Sequence, residues 1–217
     1  MVKVYVADVS NLPDPKNHPE LLDKLTKTRK EKTLRYKQEI DRKQSLGAGL
    51  LLKQCLDEYG INIEKIRYGD NGKPEADGIC FNLSHSRDRV VCAISEKPVG
   101  CDIEKIGKFR EGIAERYFTD SEVQYLEQFE GEEKVEEFYR LWTMKESYLK
   151  MTGEGMSLPL NHIEFRIEDK IKVFRDGAGC SCKIKEYPIP EYKLTVCAEE
   201  AECADDIIFC EGGDDCI

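Results

Sequence analysis

The segment Val99-Gly100-Cys101-Asp102-Ile103-Glu104, with the later run Leu141-Trp142-Thr143-Met144-Lys145-Glu146-Ser147-Tyr148-Leu149-Lys150, constrains this chain more than any other feature. In extended backbone successive side chains alternate faces, so Asp102 and Glu104 point one way while Cys101 and Ile103 point into the other layer. In a helix, Trp142, Glu146 and Lys150 share one face, which places a third carboxylate one turn before an ammonium. A strand and a helix that each bury one face and present acids on the other predict a mixed fold. Three hard oxygen ligands and a cation suit Mg²⁺ holding a diphosphate. The plainer readings are a solvated strand face for Asp102 and Glu104, and packing roles for Trp142, Tyr148 and Leu149.

A chain of 217 residues buries a real core in one large or two small domains. No apolar run reaches the roughly 20 residues that span a bilayer, and Met1–Asp8 lacks the apolar core of a signal peptide. The protein is therefore expected in the cytoplasm, with no membrane partner and with reduced cysteines. Cys55, Cys80, Cys92 and Cys101 lie inside apolar patterns and read as small buried hydrophobes. Cys180-Ser181-Cys182 and the later Cys197, Cys203, Cys210 and Cys216 do not reproduce the paired spacing of a zinc site. The net charge of −10 is uneven: residues 199–217 hold eight acids and no base, whereas residues 24–43 hold nine Lys/Arg against three acids. That basic stretch suits either phosphate or solvent. Overall acidity and the lack of a matching motif argue against nucleic acid.

Residues 2–9 alternate as a strand, and residues 18–60 are mostly helical, with Leu21, Leu22, Leu25, Leu46, Leu50 and Leu51 at helical spacing. Gly47 and Gly49 suit close packing or close approach to a ligand. Asp70-Asn71-Gly72-Lys73-Pro74 signals a turn, and residues 81–83 and 90–94 a strand pair joined by Ser84-His85-Ser86-Arg87-Asp88. Helices follow at about 109–117, 120–130 and 132–151, the second capped by Thr119 or Asp120, and short strands at 162–168, 170–175, 181–187 and 192–198. The expected division is an N-terminal half over 1–98, a C-terminal half over 99–198 and an acidic, cysteine-containing tail over 199–217 without fixed structure.

Phe81-Asn82-Leu83-Ser84-His85-Ser86, Val99–Glu104 and Trp142–Lys150 are similar, in order and spacing, to three elements of the surfactin-type 4′-phosphopantetheinyl transferases. The resemblance covers about Lys43 to Leu160, with Gly72-Lys73-Pro74 and Gly153–Leu160 as further matches. It implies an α+β fold of two pseudo-symmetric halves, each a small mainly antiparallel sheet packed with helices, with the active site in the cleft between them. It implies a monomer that transfers the phosphopantetheine arm of coenzyme A to a serine of an acyl or peptidyl carrier protein, releasing adenosine 3′,5′-bisphosphate. By the same resemblance Asp102, Glu104 and Glu146 are the Mg²⁺ ligands, and Lys150 sits at the diphosphate. Glu146, a metal-bound water or Glu122 takes the serine proton. Ser84 and His85 bind the 3′-phosphate of coenzyme A, and Lys73 with Lys43 or the adjacent Arg42 makes further donor contacts. Phe109, Ile113 and Phe118 are candidate carrier contacts, or ordinary core. A Mg²⁺-dependent diphosphate hydrolase and a non-catalytic coenzyme A-binding module are the competing functions.

Overall fold

The alternating run at the start of the chain forms strand β1 (Lys3–Asp8), and its Tyr5, Ala7 and the following Val9 pack on the leucine face of helix α3 (Glu39–Glu58). Val4 and Val6, on the opposite face, are buried too, so β1 is covered on both sides. The computed structural model describes residues 1–69 and 73–210, which separate into two compact units: residues 1–96 with the chain from 204 onward, and residues 97–203.

In the first unit, α1 (Pro19–Leu22) and α2 (Lys27–Arg35) precede α3, and the two-stranded pair β2 (Arg67–Tyr68) and β3 (Pro74–Glu75) leads into the hairpin β4 (Cys80–Ser86) and β5 (Arg89–Ser95). The second strand of the hairpin pairs antiparallel with β1, while β4 forms the edge. Leu46, Leu50, Leu51 and Leu56 of α3 close the core over Phe81, Val90, Cys92 and Ile94. A side chain at Gly47 would strike Val9, so this glycine serves packing. Ladder pairing continues through Ser84, His85 and Ser86, leaving a two-residue turn of Arg87 and Asp88 where a five-residue connection was predicted.

The second unit repeats the order of strand, long helix and hairpin. Strand β6 (Val99–Lys105) is followed by α4 (Glu111–Tyr117), α5 (Asp120–Leu126) and the long α6 (Gly131–Thr152). A small sheet of β7 (Ile163–Ile167), β8 (Ile171–Arg175) and β9 (Ala178–Gly179) precedes the hairpin β10 (Lys183–Ile189) and β11 (Tyr192–Ala198). Here too the second hairpin strand pairs antiparallel with the first strand of the unit, in the order β10-β11-β6. The sheets are mainly antiparallel and each is packed with helix, as the α+β reading of two similar halves implies.

The acidic tail, expected over 199–217 to lack fixed structure, carries ordered backbone within its described residues 199–210. Within them β12 (Ile208–Cys210) adds to the first unit as a parallel neighbour of β1, with Cys210 buried, and the Ala204 amide donates to the Val2 carbonyl at 2.9 Å. Ile207, Ile208 and Phe209 are apolar enough to pair along an open strand edge despite the surrounding acids. Residues 211–217, and Asp70 to Gly72 of the predicted turn, lie outside the described residues. Among the described residues no helix is long and apolar enough to cross a membrane.

Candidate active site

Strand β6 and helix α6 meet where the acids were predicted. Gly100 allows this: a side chain there would collide with the backbone of Ser147 and Met151, so the helix lies directly on the strand. Beside that contact the buried hydroxyls of Thr143 and Thr195 bond at 2.9 Å. Thr143 donates to the Arg140 carbonyl, so Thr195 is the donor of the pair. Thr195 stands opposite Asp102 in the β6/β11 register, and Lys193 opposite Glu104. The Lys150 ammonium reaches back from α6 to the Asp102 carboxylate at 2.5 Å and to the Cys101 carbonyl at 3.2 Å.

Asp102 is only 4% exposed, while Glu104 and Glu146 are half-buried. Burial pushes the Glu146 carboxyl up, and the neighbouring charges of Asp102 and Glu104 push it further against the opposing pull of Lys150. Lys150 loses solvation as well, yet Asp102 and Glu146 outweigh that and hold its ammonium above the ordinary lysine value. Asp102 and Glu146 thus flank the Lys150 ammonium, and Glu104 adds its charge to Glu146. Among the described residues no three His, Cys, Asp or Glu side chains are drawn together tightly enough to hold a metal ion. In this arrangement the counter-charge to Asp102 is Lys150.

Glu122, a candidate base, lies in a buried ion pair. Its carboxylate is 1% exposed and ion-paired at 2.7 Å with Lys145, which is itself fully buried. It also accepts from the Thr119 amide at 2.8 Å, the Thr119 hydroxyl at 3.1 Å and the Phe165 amide at 2.8 Å. Lys145 donates in addition to the carbonyls of Leu160, at 2.9 Å, and Ile163. Three of the Glu122 contacts fall on Oε2 and one on Oε1. The signal was present in the sequence, since Thr119-x-x-Glu122 is a capping box and the structure forms both of its hydrogen bonds. Phe109, Ile113 and Phe118 belong to the core of the second unit; Phe118 is buried, and Phe109 meets the Phe138 ring edge-on with centroids 5.3 Å apart.

The donor-binding candidates lie in the first unit, and the structure separates them by role. Arg42 is buried, forked onto Asp14 through Nε at 2.8 Å and Nη2 at 2.5 Å, and its Nη1 donates to the carbonyls of Tyr36 and Lys37. That guanidinium ties the α2–α3 connection to the Asp14 loop. Lys43 pairs with Glu39 one turn earlier at 2.8 Å. The Lys73 carbonyl accepts from the Gly69 amide at 3.0 Å. Ser84 and His85 are consecutive on β4 and so point to opposite faces, Ser84 buried and His85 exposed.

Three cations went unassigned in the sequence. Arg29, Lys32 and Arg35 recur along one face of α2 and, with Tyr68 and Pro74, line a cavity of about 450 Å³. Thr26 caps α2 by accepting from the Arg29 amide, and its hydroxyl bonds the Tyr68 hydroxyl at 3.1 Å, which fixes the aromatic wall. Lost solvation and the Arg29 charge lower the Lys32 ammonium below its usual value. Crowded cations of this kind favour an anion. Their i, i+3, i+6 spacing was the available signal.

Known proteins are similar to this chain over most of its length. A family model described as the 4′-phosphopantetheinyl transferase superfamily matches residues 98–197. The 4′-phosphopantetheinyl transferase ffp of Bacillus subtilis is 34% identical over 86% of this chain and 88% of its own length. The 4′-phosphopantetheinyl transferase gsp of Aneurinibacillus migulanus is 38% identical over 74% and 70%. The 4′-phosphopantetheinyl transferase Sfp of Bacillus subtilis strain 168 is 29% identical over 95% and 96%. Identity spread over nearly all of both chains covers the strand and helix that carry the acids, and the chain belongs to the surfactin-type 4′-phosphopantetheinyl transferases.

Proposed function

We propose that this enzyme moves the 4′-phosphopantetheine arm of coenzyme A onto a serine hydroxyl of an acyl or peptidyl carrier protein, in a Mg²⁺-dependent reaction that releases adenosine 3′,5′-bisphosphate. Family membership supports the transfer. The metal assignment is supported by the like charges of Asp102 and Glu104 acting on Glu146, with Asp102 and Glu146 beside Lys150. Carboxylate oxygens are the ligand type Mg²⁺ prefers, and the ion held by Asp102, Glu104 and Glu146 would supply Lewis-acid charge to the donor diphosphate. Lys150, held as an ammonium by its acidic neighbours, would oppose the charge on the departing phosphate.

In the transfer the serine oxygen bonds to the phosphorus carrying the pantetheine arm, and the bond from that phosphorus to the bridging oxygen breaks. Charge collects on the leaving bisphosphate, where Lys150 opposes it. With Glu122 committed to Lys145, Glu146 is the carboxylate left to take the serine proton. The nucleotide end of coenzyme A is assigned to the first unit, to Lys43, Lys73, Ser84 and His85, with the Arg29, Lys32 and Arg35 cavity contributing positive charge for a phosphate. We further take the protein to act as a cytoplasmic monomer.

Intact-mass measurement of an apo carrier protein incubated with coenzyme A, Mg²⁺ and this enzyme tests the assignment. One phosphopantetheine should be gained with the wild type and none with Glu146→Gln or with excess chelator. Consumption of coenzyme A without any gain on acyl or peptidyl carriers would point instead to a diphosphate hydrolase.

A further inference from the structure

The turn between β4 and β5 holds its first residue in a conformation that residue disfavours. Arg87 has φ 53°, in the left-handed region where glycine is at ease and where a Cβ crowds the following carbonyl. Among the described residues three other non-glycine residues share that geometry, Asp176, Glu191 and Glu200. Each of them is an acid whose carboxylate meets a basic side chain, His162, Lys105 and Lys97 respectively. Arg87 is the cation of the four. Its side chain is exposed, and no ion pair among the described residues engages its guanidinium.

The surroundings keep the turn in that shape. Gln44, buried on α3, donates through Nε2 to the Arg87 carbonyl at 2.7 Å. The Val9 amide donates to the Asp88 carbonyl at 2.8 Å, and Arg89, just past the turn, pairs with Asp8 at the end of β1. Contacts from α3 and from the end of β1 thus impose a backbone that the arginine would not choose. Gln44 follows Lys43, and Arg87 lies two residues past His85, so this hydrogen bond joins the two elements that carry assigned donor contacts. Phe81 and Leu83 pack toward α3, and the exposed His85 continues that face by strand alternation along the edge strand.

We propose that Arg87 is a further contact for the donor, its guanidinium binding the 3′-phosphate of coenzyme A together with Ser84 and His85, and that Gln44 is the positioning residue that holds the turn for it. The inference rests on the coenzyme A reading of the first unit. A guanidinium offers paired N–H groups that match phosphate oxygens and stays charged at every working pH. Glycine would serve the turn better, so the arginine is accounted for by its charge and not by its backbone. The contact makes this end of the site selective for a donor that carries the 3′-phosphate.

Isothermal titration calorimetry of the protein in Mg²⁺, with coenzyme A and with 3′-dephospho-coenzyme A, tests this. The wild type should bind coenzyme A at least about 10-fold more tightly than the dephospho form, as a charge-assisted contact requires. Arg87→Gly and Arg87→Asn are uncharged and tolerate positive φ. Both should lose about 10-fold in affinity for coenzyme A, bind the dephospho form as the wild type does, and melt at no lower temperature. Arg87→Lys should keep most of the preference, and Gln44→Met should lower it in the same selective way. A glycine variant that binds coenzyme A as tightly as the wild type, or variants that lose both ligands alike, would overturn the proposal. A wild type that binds neither ligand would overturn the coenzyme A reading itself, and the proposal with it.

Discussion

Glu122 and Lys145 are buried together, and each is held by backbone groups as well as by the other. Burial lowers the Lys145 ammonium more than the Glu122 charge raises it, so that ammonium depends on its partner. Removing one partner leaves an uncompensated buried charge, so Lys145→Met should destabilise the protein by about 3–5 kcal/mol in urea unfolding. Glu122→Gln should also lower stability. A catalytic base would instead show slower transfer at unchanged stability. Arg42 and Asp14 form a second pair that carries a pH signature. The Arg42 guanidinium holds the Asp14 carboxyl down to about 2 from an ordinary 3.8. A depressed carboxyl contributes stability above its unfolded value and loses it as pH falls toward its folded one, so the loss falls between about pH 4 and pH 2. Thermal unfolding of Asp14→Asn should be less stable near neutrality and flatter across that window than the wild type.

At the level of elements, β6 and α6 work as one device because Gly100 lets their backbones touch. Gly100→Ala would press a methyl group onto main-chain atoms that no side-chain motion can clear. Overpacking of this kind costs about 1–3 kcal/mol, and the melting temperature should fall accordingly. Transfer activity should fall with it, because Lys150 and Glu146 ride on the displaced helix. These two elements were legible in the sequence: the two-residue period of Val99–Glu104 and the four-residue spacing of Glu146 and Lys150 are local properties of extended and helical backbone. Other features were not local. Strand β12 is three residues long amid acids, and only the open edge of β1 gives it a place. Ser84 to Ser86 read as a connection because serine favours turns, but pairing with Val91, Val90 and Arg89 makes them strand. Arg42 beside Lys43 offered two indistinguishable cations until the Asp14 loop folded against one of them.

Across the whole molecule, each unit is built from a strand, a long helix and a hairpin whose second strand pairs with the first. The sequence shows the order of those elements but not that pairing, which depends on contacts between residues far apart in the chain. Each unit carries its own part of the proposed chemistry: cations at α2 and the β4 residues in the first, carboxylates and Lys150 in the second. The centre of the proposal is that Asp102, Glu104 and Glu146 bind a divalent cation. Titration of Mn²⁺ into the protein with coenzyme A present, followed by the electron paramagnetic resonance signal of free Mn²⁺, measures this directly for the wild type and Asp102→Asn. The wild type should bind one ion and the variant should bind it at least about 10-fold more weakly, since even outer-shell partners of a metal carry that much. Equal affinity in the two proteins, or no binding by either, would contradict the assignment.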